Sequence, residues 1–184
     1  MTSEILRIVV TGGVGAGKTT FIRTISEIDV VDTDKRATDE LAELKEKTTV
    51  ALDFGKLTIA SKQSLHLYGT PGQERFDFMW DILIGKAHAY ILLVDAHRPN
   101  QFRNARQVLN YMNHHASIPA TIGVTHTDCV DAWEIEDVVL ALGLQNKANS
   151  IPVMTVNPNE RESVSSALIA IVEQLNQRTE GVRN

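Results

Sequence analysis

The chain is poor in several features, and each shortage closes a class of function. Its 184 residues include one cysteine, Cys129. That excludes an internal disulfide and fits a reducing, cytoplasmic setting. No apolar run approaches the roughly 20 residues that a bilayer-spanning helix needs. The opening "MTSEILRIVV" lacks a basic stretch followed by a long apolar one, so no signal peptide is expected. The end "QRTEGVRN" has no cysteine to prenylate, and position 2 is Thr2 where myristoylation needs glycine. Neither a transmembrane segment nor a lipid anchor is therefore expected. Positive charge is also in deficit, with 18 Lys and Arg against 23 Asp and Glu, a net −5. This argues against nonspecific binding to nucleic acid or anionic lipid. His66, His88, His97, His114 and His115 show no metal-ligand spacing.

What is present suits one domain over 1–184 with a full hydrophobic core. Short β-rich runs alternate with helical patterns. "ILRIVVT", "TVALDFGKLTIA", "SLHLYG", "HAYILLVDA", "PATIGVT" and "SIPVMTV" read as strands. The second and third are joined by the polar tip Ser61-Lys62-Gln63 and form a hairpin. "KTTFIRTISE", "ERFDFMWDILIGKA", "NQFRNARQVLNYMNHH", "AWEIEDVVLALG" and "ERESVSSALIAIVEQLNQ" read as helices. In the last, Val164, Leu168, Ile171, Val172 and Leu175 share one face. The alternation predicts an α/β three-layer sandwich: a mostly parallel six-stranded sheet, one strand antiparallel, helices on both faces. The charged segment from Asp29 to Lys47 reads as a loop with a short helix or as a mobile region.

"GGVGAGKT" follows the first strand and opens the first helix, satisfying G-x-x-x-x-G-K-[ST] in the strand-loop-helix context that the motif requires. It marks a P-loop nucleotide-binding fold. Gly12, Gly13, Val14, Gly15, Ala16, Gly17, Lys18, Thr19 and Thr20 are the candidate phosphate-binding residues. The glycines let backbone N–H groups turn inward around phosphate oxygens. Lys18 brings charge to the β and γ phosphates, Thr19 offers a hydroxyl to Mg²⁺, and the helix N-terminus adds its dipole.

Further motifs follow in order. Thr49 stands four residues before Asp53, "TPGQERF" runs from Thr70, and "GVTHTD" ends at Asp128. With the phosphate loop, they make the chain resemble a bacterial Ras-like small GTPase. It is similar to those encoded beside roadblock-type regulators, which include the gliding-motility polarity GTPases. The resemblance covers nearly the whole chain. It implies GTP or GDP and Mg²⁺ as ligands, slow hydrolysis of GTP, and a roadblock-type regulator or activating partner. Thr49, or its neighbour Thr48, matches the first-switch threonine that ligates magnesium. Gly72 matches the glycine that meets the γ-phosphate, and Gln73 the residue that orients the attacking water. Thr125, His126 and Asp128 match the base-reading loop, where a carboxylate accepts from N1–H and the exocyclic amine of guanine. A second reading of Asp128 is an N-cap of the next helix. Val156 and Asn157 fall where a last backbone contact to the base is expected.

Three positions depart from the pattern. Val14 replaces a glycine beside the γ-phosphate. His126 replaces a lysine that packs along the base and braces the phosphate loop. Gly69 replaces the aspartate that holds the magnesium shell in most relatives. If the hairpin tip centres near Ser61, residues whose numbers sum to about 122 lie opposite one another, and Gly69 then faces Asp53. Cross-strand Cβ atoms are roughly 4.5–5.5 Å apart, so an acid on one strand can fill the space beside a glycine on the other. Asp53 is accordingly expected to hold magnesium, through water, next to Thr19 and Thr49. The alternatives are a nonhydrolysing scaffold, in which the three departures mark decay, and an ATP-using P-loop protein.

Overall fold

The structure is a computed structural model, and the residues described are 4–32, 52–61, 63–71, 83–145 and 151–181. Seven strands form one sheet: β1 (Glu4–Gly12), β2 (Val31–Asp32), β3 (Asp53–Ala60), β4 (Gln63–Gly69), β5 (Ala89–Asp95), β6 (Ala120–Thr125) and β7 (Val153–Thr155). Their spatial order is β2-β3-β4-β1-β5-β6-β7. From β4 to β7 every neighbouring pair is parallel, whereas β3 runs antiparallel to β4. These are the six expected strands. The two-residue β2 adds to the outer edge of β3, inside the charged segment that reads as loop.

The described helices are α1 (Lys18–Ile25), α2 (Phe102–His115), α3 (Ile135–Ala141) and α4 (Arg161–Gly181). A single turn of 3₁₀ helix, Pro99–Gln101, leads into α2. The expected helix from Glu74 to Ala87 lies mostly outside the described residues; Leu83 and Ile84 are helical.

The central strands explain the layering. All seven residues of β5 and all six of β6 are buried. Such runs are covered on both faces, as parallel strands with helical crossovers must be. Alternate residues then serve two cores. Ile8, Val10, Ile91 and Leu93 pack with Phe21 and Ile22 of α1 and with Val164, Ala167, Leu168 and Ile171 of α4. Val9, Tyr90, Leu92 and Val94 pack with Phe102, Ala105, Val108, Leu109 and Met112 of α2 and with Val138 of α3. On α4, the expected apolar face is buried at Val164, Leu168 and Ile171, while Val172 and Leu175 are half-buried at its margin.

The β3–β4 hairpin keeps the arithmetic of its tip. Asp53 pairs with Gly69, Phe54 with Tyr68 and Thr58 with Ser64, each pair summing to 122. The register shifts by one between Thr58 and Ala60. Asp53 therefore lies across from Gly69, at the end of the sheet where β1 delivers its loop.

Candidate functional site

β1 runs into the phosphate loop through Gly12, whose φ of 146° is open to glycine alone. A Cβ there would sit 2.3 Å from the Leu93 carbonyl oxygen of β5. The loop can leave the sheet at this point only because nothing projects from residue 12. Gly17, at φ 98°, caps α1. Lys18 follows, and only 8% of it is exposed. Its ammonium donates to the carbonyls of Gly12 at 2.8 Å and Gly13 at 2.6 Å. Burial pulls the Lys18 ammonium down to about 8, against a smaller upward pull from the Asp53 carboxylate.

The Thr19 hydroxyl donates to Asp53 Oδ2 at 2.5 Å. Phosphate loop and hairpin thus meet through two hard oxygen ligands. A Cβ on Gly69 would lie 3.0 Å from Asp53 Cβ and 3.3 Å from Oδ2, so the acid fills the space that the glycine leaves. A hydroxyl and a carboxylate are hard oxygen donors of the kind that suits Mg²⁺. Among the described residues no cluster of three or more His, Cys, Asp or Glu could hold a metal ion. Thr49, with its neighbour Thr48, Gly72 and Gln73 lie outside the described residues. Thr70 is buried, its N–H on the Val10 carbonyl at 3.0 Å and its hydroxyl on Thr11 at 3.0 Å. The start of "TPGQERF" is thereby fixed to β1.

At the base end, β6 delivers Thr125, wholly buried. Its hydroxyl donates to the Ala16 carbonyl at 3.0 Å, tying the two loops together. His126 has a φ of 57°, which lets the chain turn sharply out of the strand. Its Nδ1 lies 3.0 Å from Thr125 Oγ1 and 3.5 Å from Asp95 Oδ1. Since Thr125 gives its one proton to Ala16, the histidine is the donor in that pair. Asp128 is exposed and makes no hydrogen bond or ion pair among the described residues. The N-cap role is not realised: α3 starts at Ile135, behind Glu134.

Phosphate loop and base loop share a cavity of about 490 Å³, lined by Gly15, Gly17 and Thr20, by His126 to Cys129, and by Val156 to Glu160. The Val156 N–H donates to the Val124 carbonyl at 2.8 Å and the Asn157 N–H to Ser163 Oγ at 2.9 Å. Both expected base contacts thus line the cavity with their amides engaged elsewhere.

Sequence reasoning missed a third contributor, the loop after β5. Arg98 and Gln101 both reach the Val14 carbonyl, at 3.2 and 3.1 Å. Arg98 also pairs with the buried Asp95 at 3.4 Å. Contacts between residues more than 80 positions apart leave no local pattern. The available signal was an acid closing the apolar run "ILLVD".

None of the described helices is long and apolar enough to cross a membrane. A family model described as conserved hypothetical ATP-binding protein matches residues 10–179. An uncharacterized protein, MJ1339, of Methanocaldococcus jannaschii is 31% identical over 97 residues, 52% of this chain and 54% of that one. The match thus spans about half of that relative's length. The Ras-related protein Rab-1C of Dictyostelium discoideum is 24% identical over 179 residues, 95% of this chain and 83% of that one. Among solved structures, the Arl6 BBS3 small GTPase from Trypanosoma brucei with bound nucleotide analogue GppNp aligns with a TM-score of 0.68 at 16% identity. It covers 94% of this chain and 98% of its own. The fold is that of the Ras-like small GTPases.

Proposed function

The chain belongs to the family of conserved hypothetical ATP-binding proteins, and from that premise we propose that it is a guanine-nucleotide switch that hydrolyses GTP slowly. The observation that carries this reading is the shared cavity, in which Asp128, exposed and without a partner among the described residues, lines the same space as the phosphate loop. A free carboxylate there accepts from guanine N1–H and the exocyclic amine. Adenine offers no such pair of donors.

Lys18 holds the β and γ phosphates, with the loop amides and the α1 dipole around them. Thr19 and Thr49 by hydroxyl, and Asp53 through water, would hold Mg²⁺. When bound, the ion would supply positive charge to offset that of the phosphates. Gln73 orients the water that attacks the γ-phosphorus, and the bond to the β-γ bridging oxygen breaks. Val14 narrows the room for that glutamine, so turnover is slow and an activating partner, of roadblock type, raises it. Readout is through the segment between Asp29 and Lys47 and the helix expected from Glu74 to Ala87, which would order differently with GTP and GDP. A cytoplasmic setting follows from the same reading.

The test is competition of GTP, GDP and ATP for the purified protein, with phosphate release measured with and without Mg²⁺. Preference for GTP and Mg²⁺-dependent release support the reading. Equal competition by ATP replaces it with the ATP-using reading that the family's description favours. Guanine binding without release leaves a scaffold. Copurification without any roadblock-type protein removes the partner.

A further inference from the structure

We infer that Arg98 is a positioning residue: it ties the base loop to the phosphate loop and so sets how long a nucleotide stays bound. The inference rests on the nucleotide-site reading above, but not on which purine the site takes.

The geometry has a hub and two arms. The hub is Asp95, at the end of β5, with 3% of its side chain exposed. A buried carboxylate is costly unless it is paired, and here both oxygens are engaged. Oδ1 accepts the His97 N–H at 3.0 Å and lies 3.5 Å from His126 Nδ1. Oδ2 lies 3.4 Å from Arg98 Nε. One arm therefore reaches the base loop at His126. The other runs through the Arg98 guanidinium, which donates to the Val14 carbonyl at 3.2 Å. The same guanidinium would be 2.9 Å from a Cβ on Gly15, so it lies close against the loop at its exposed Val14-Gly15 turn. Gln101 donates to the same Val14 carbonyl at 3.1 Å and steadies it from the start of α2.

This closes the gap opened by His126. A lysine at position 126 has the length and charge to reach the phosphate loop directly. His126 does not reach it; its Nδ1 faces Thr125 and Asp95 instead. The cation that does touch the loop comes from position 98. Arginine suits this relay because its planar fork serves a carboxylate with one nitrogen and a carbonyl with another. Lysine at 98 has a single nitrogen and cannot span both.

The experiment measures release of a fluorescent GDP from Arg98→Ala, Arg98→Lys, His126→Lys and the double variant Arg98→Ala/His126→Lys. Arg98 is half exposed, and a melting curve of each variant checks that it folds. Arg98→Ala should release nucleotide about tenfold faster, in line with loss of one charge-assisted hydrogen bond at a partly exposed site. Arg98→Lys should recover little of this. His126→Lys alone supplies the second single-variant rate that the cycle needs. The double variant should return to within about twofold of wild type, a strongly nonadditive cycle. A merely structural role for Arg98 predicts no such rescue. Wild-type release from Arg98→Ala overturns the inference, as does a double variant that releases as fast as Arg98→Ala. If the protein holds ADP as well as GDP, the guanine reading fails, and the same ratios taken with ADP still decide the role of Arg98. A protein that holds neither removes both.

Discussion

The phosphate end and the base end of the candidate site are held by different means. At the phosphate end the fixing contacts are short in sequence: Lys18 bonds the carbonyls of Gly12 and Gly13, six and five residues away. At the base end they are long: Thr125 bonds Ala16 from 109 residues away. Arg98 bonds Val14 from 84. The phosphate loop thus holds its own shape once β1 and α1 are in place, while the base loop depends on how β5, β6 and the first loop meet. A motif reader sees the first kind of order and not the second.

The sharpest way to break this comparison is at Gly12. Gly12→Ala puts a Cβ 2.3 Å from a backbone oxygen that cannot move, at a φ of 146°. We expect a loss of about 3–5 kcal/mol of stability, read as a fall in thermal midpoint. A variant that melts with wild type would show that the exit from β1 is not fixed by Leu93.

The base end should fail differently, in affinity and not in folding. Asp128→Ala should weaken GDP binding by more than about tenfold, since charge-assisted hydrogen bonds contribute roughly 1.5–3 kcal/mol each. Its melting curve without nucleotide should match wild type. Asp128→Asn should shift preference toward xanthine nucleotides. Unchanged GDP affinity in Asp128→Ala would detach the base from this loop.

A third variant moves the acid across the hairpin. Asp53→Gly alone should cut Mg²⁺-dependent turnover by about tenfold or more. Asp53→Gly with Gly69→Asp should restore most of it. The exchange removes the two contacts that crowd a side chain at 69, leaving only the flexible end of Ile22, 2.9 Å away. If the exchange is as inactive as the single variant, Asp53 does not hold the ion.

The smallest effect is in pH. Free Lys18 titrates near 8, below its ordinary 10.5. Bound phosphate raises it again. Above about pH 8, nucleotide binding must therefore take up a proton, and affinity should fall by at most about tenfold per pH unit. Below 8 it should be flat. Calorimetry in two buffers of different ionisation heat measures the proton. Stability without nucleotide has the opposite slope. Between about 8 and 10.5 the unfolded chain keeps a proton that native Lys18 gives up, so the folded protein gains stability as pH rises.

The sequence disclosed what repeats or counts. Alternating runs predicted a mostly parallel sheet of six strands with helices on both faces, because buried parallel strands and amphipathic helices each have a period. The pairing of Asp53 with Gly69 came from arithmetic on one turn, because a tight hairpin leaves few registers. The two-residue β2 was not legible, since two residues carry no period. Asp95 was missed because an acid at the end of an apolar strand reads as the strand's stop. Arg98 was missed because its partner is a carbonyl, and a carbonyl has no letter in the sequence. His126 was legible as a departure, but its turn toward Asp95 was not.

The position of β1 also sets a schedule. It lies between β4 and β5, so the strand that carries the phosphate loop is made before either of its neighbours. On a ribosome adding about 5–20 residues per second, Glu4–Gly12 waits unpaired for several seconds until Gly69 of β4 has emerged, and longer for β5. Through that interval "ILRIVV" is an exposed apolar strand with open edges, the kind of segment that recruits chaperones or aggregates. Substitutions that slow docking of β5 should therefore lower the yield of folded chain while leaving the finished molecule as stable as before.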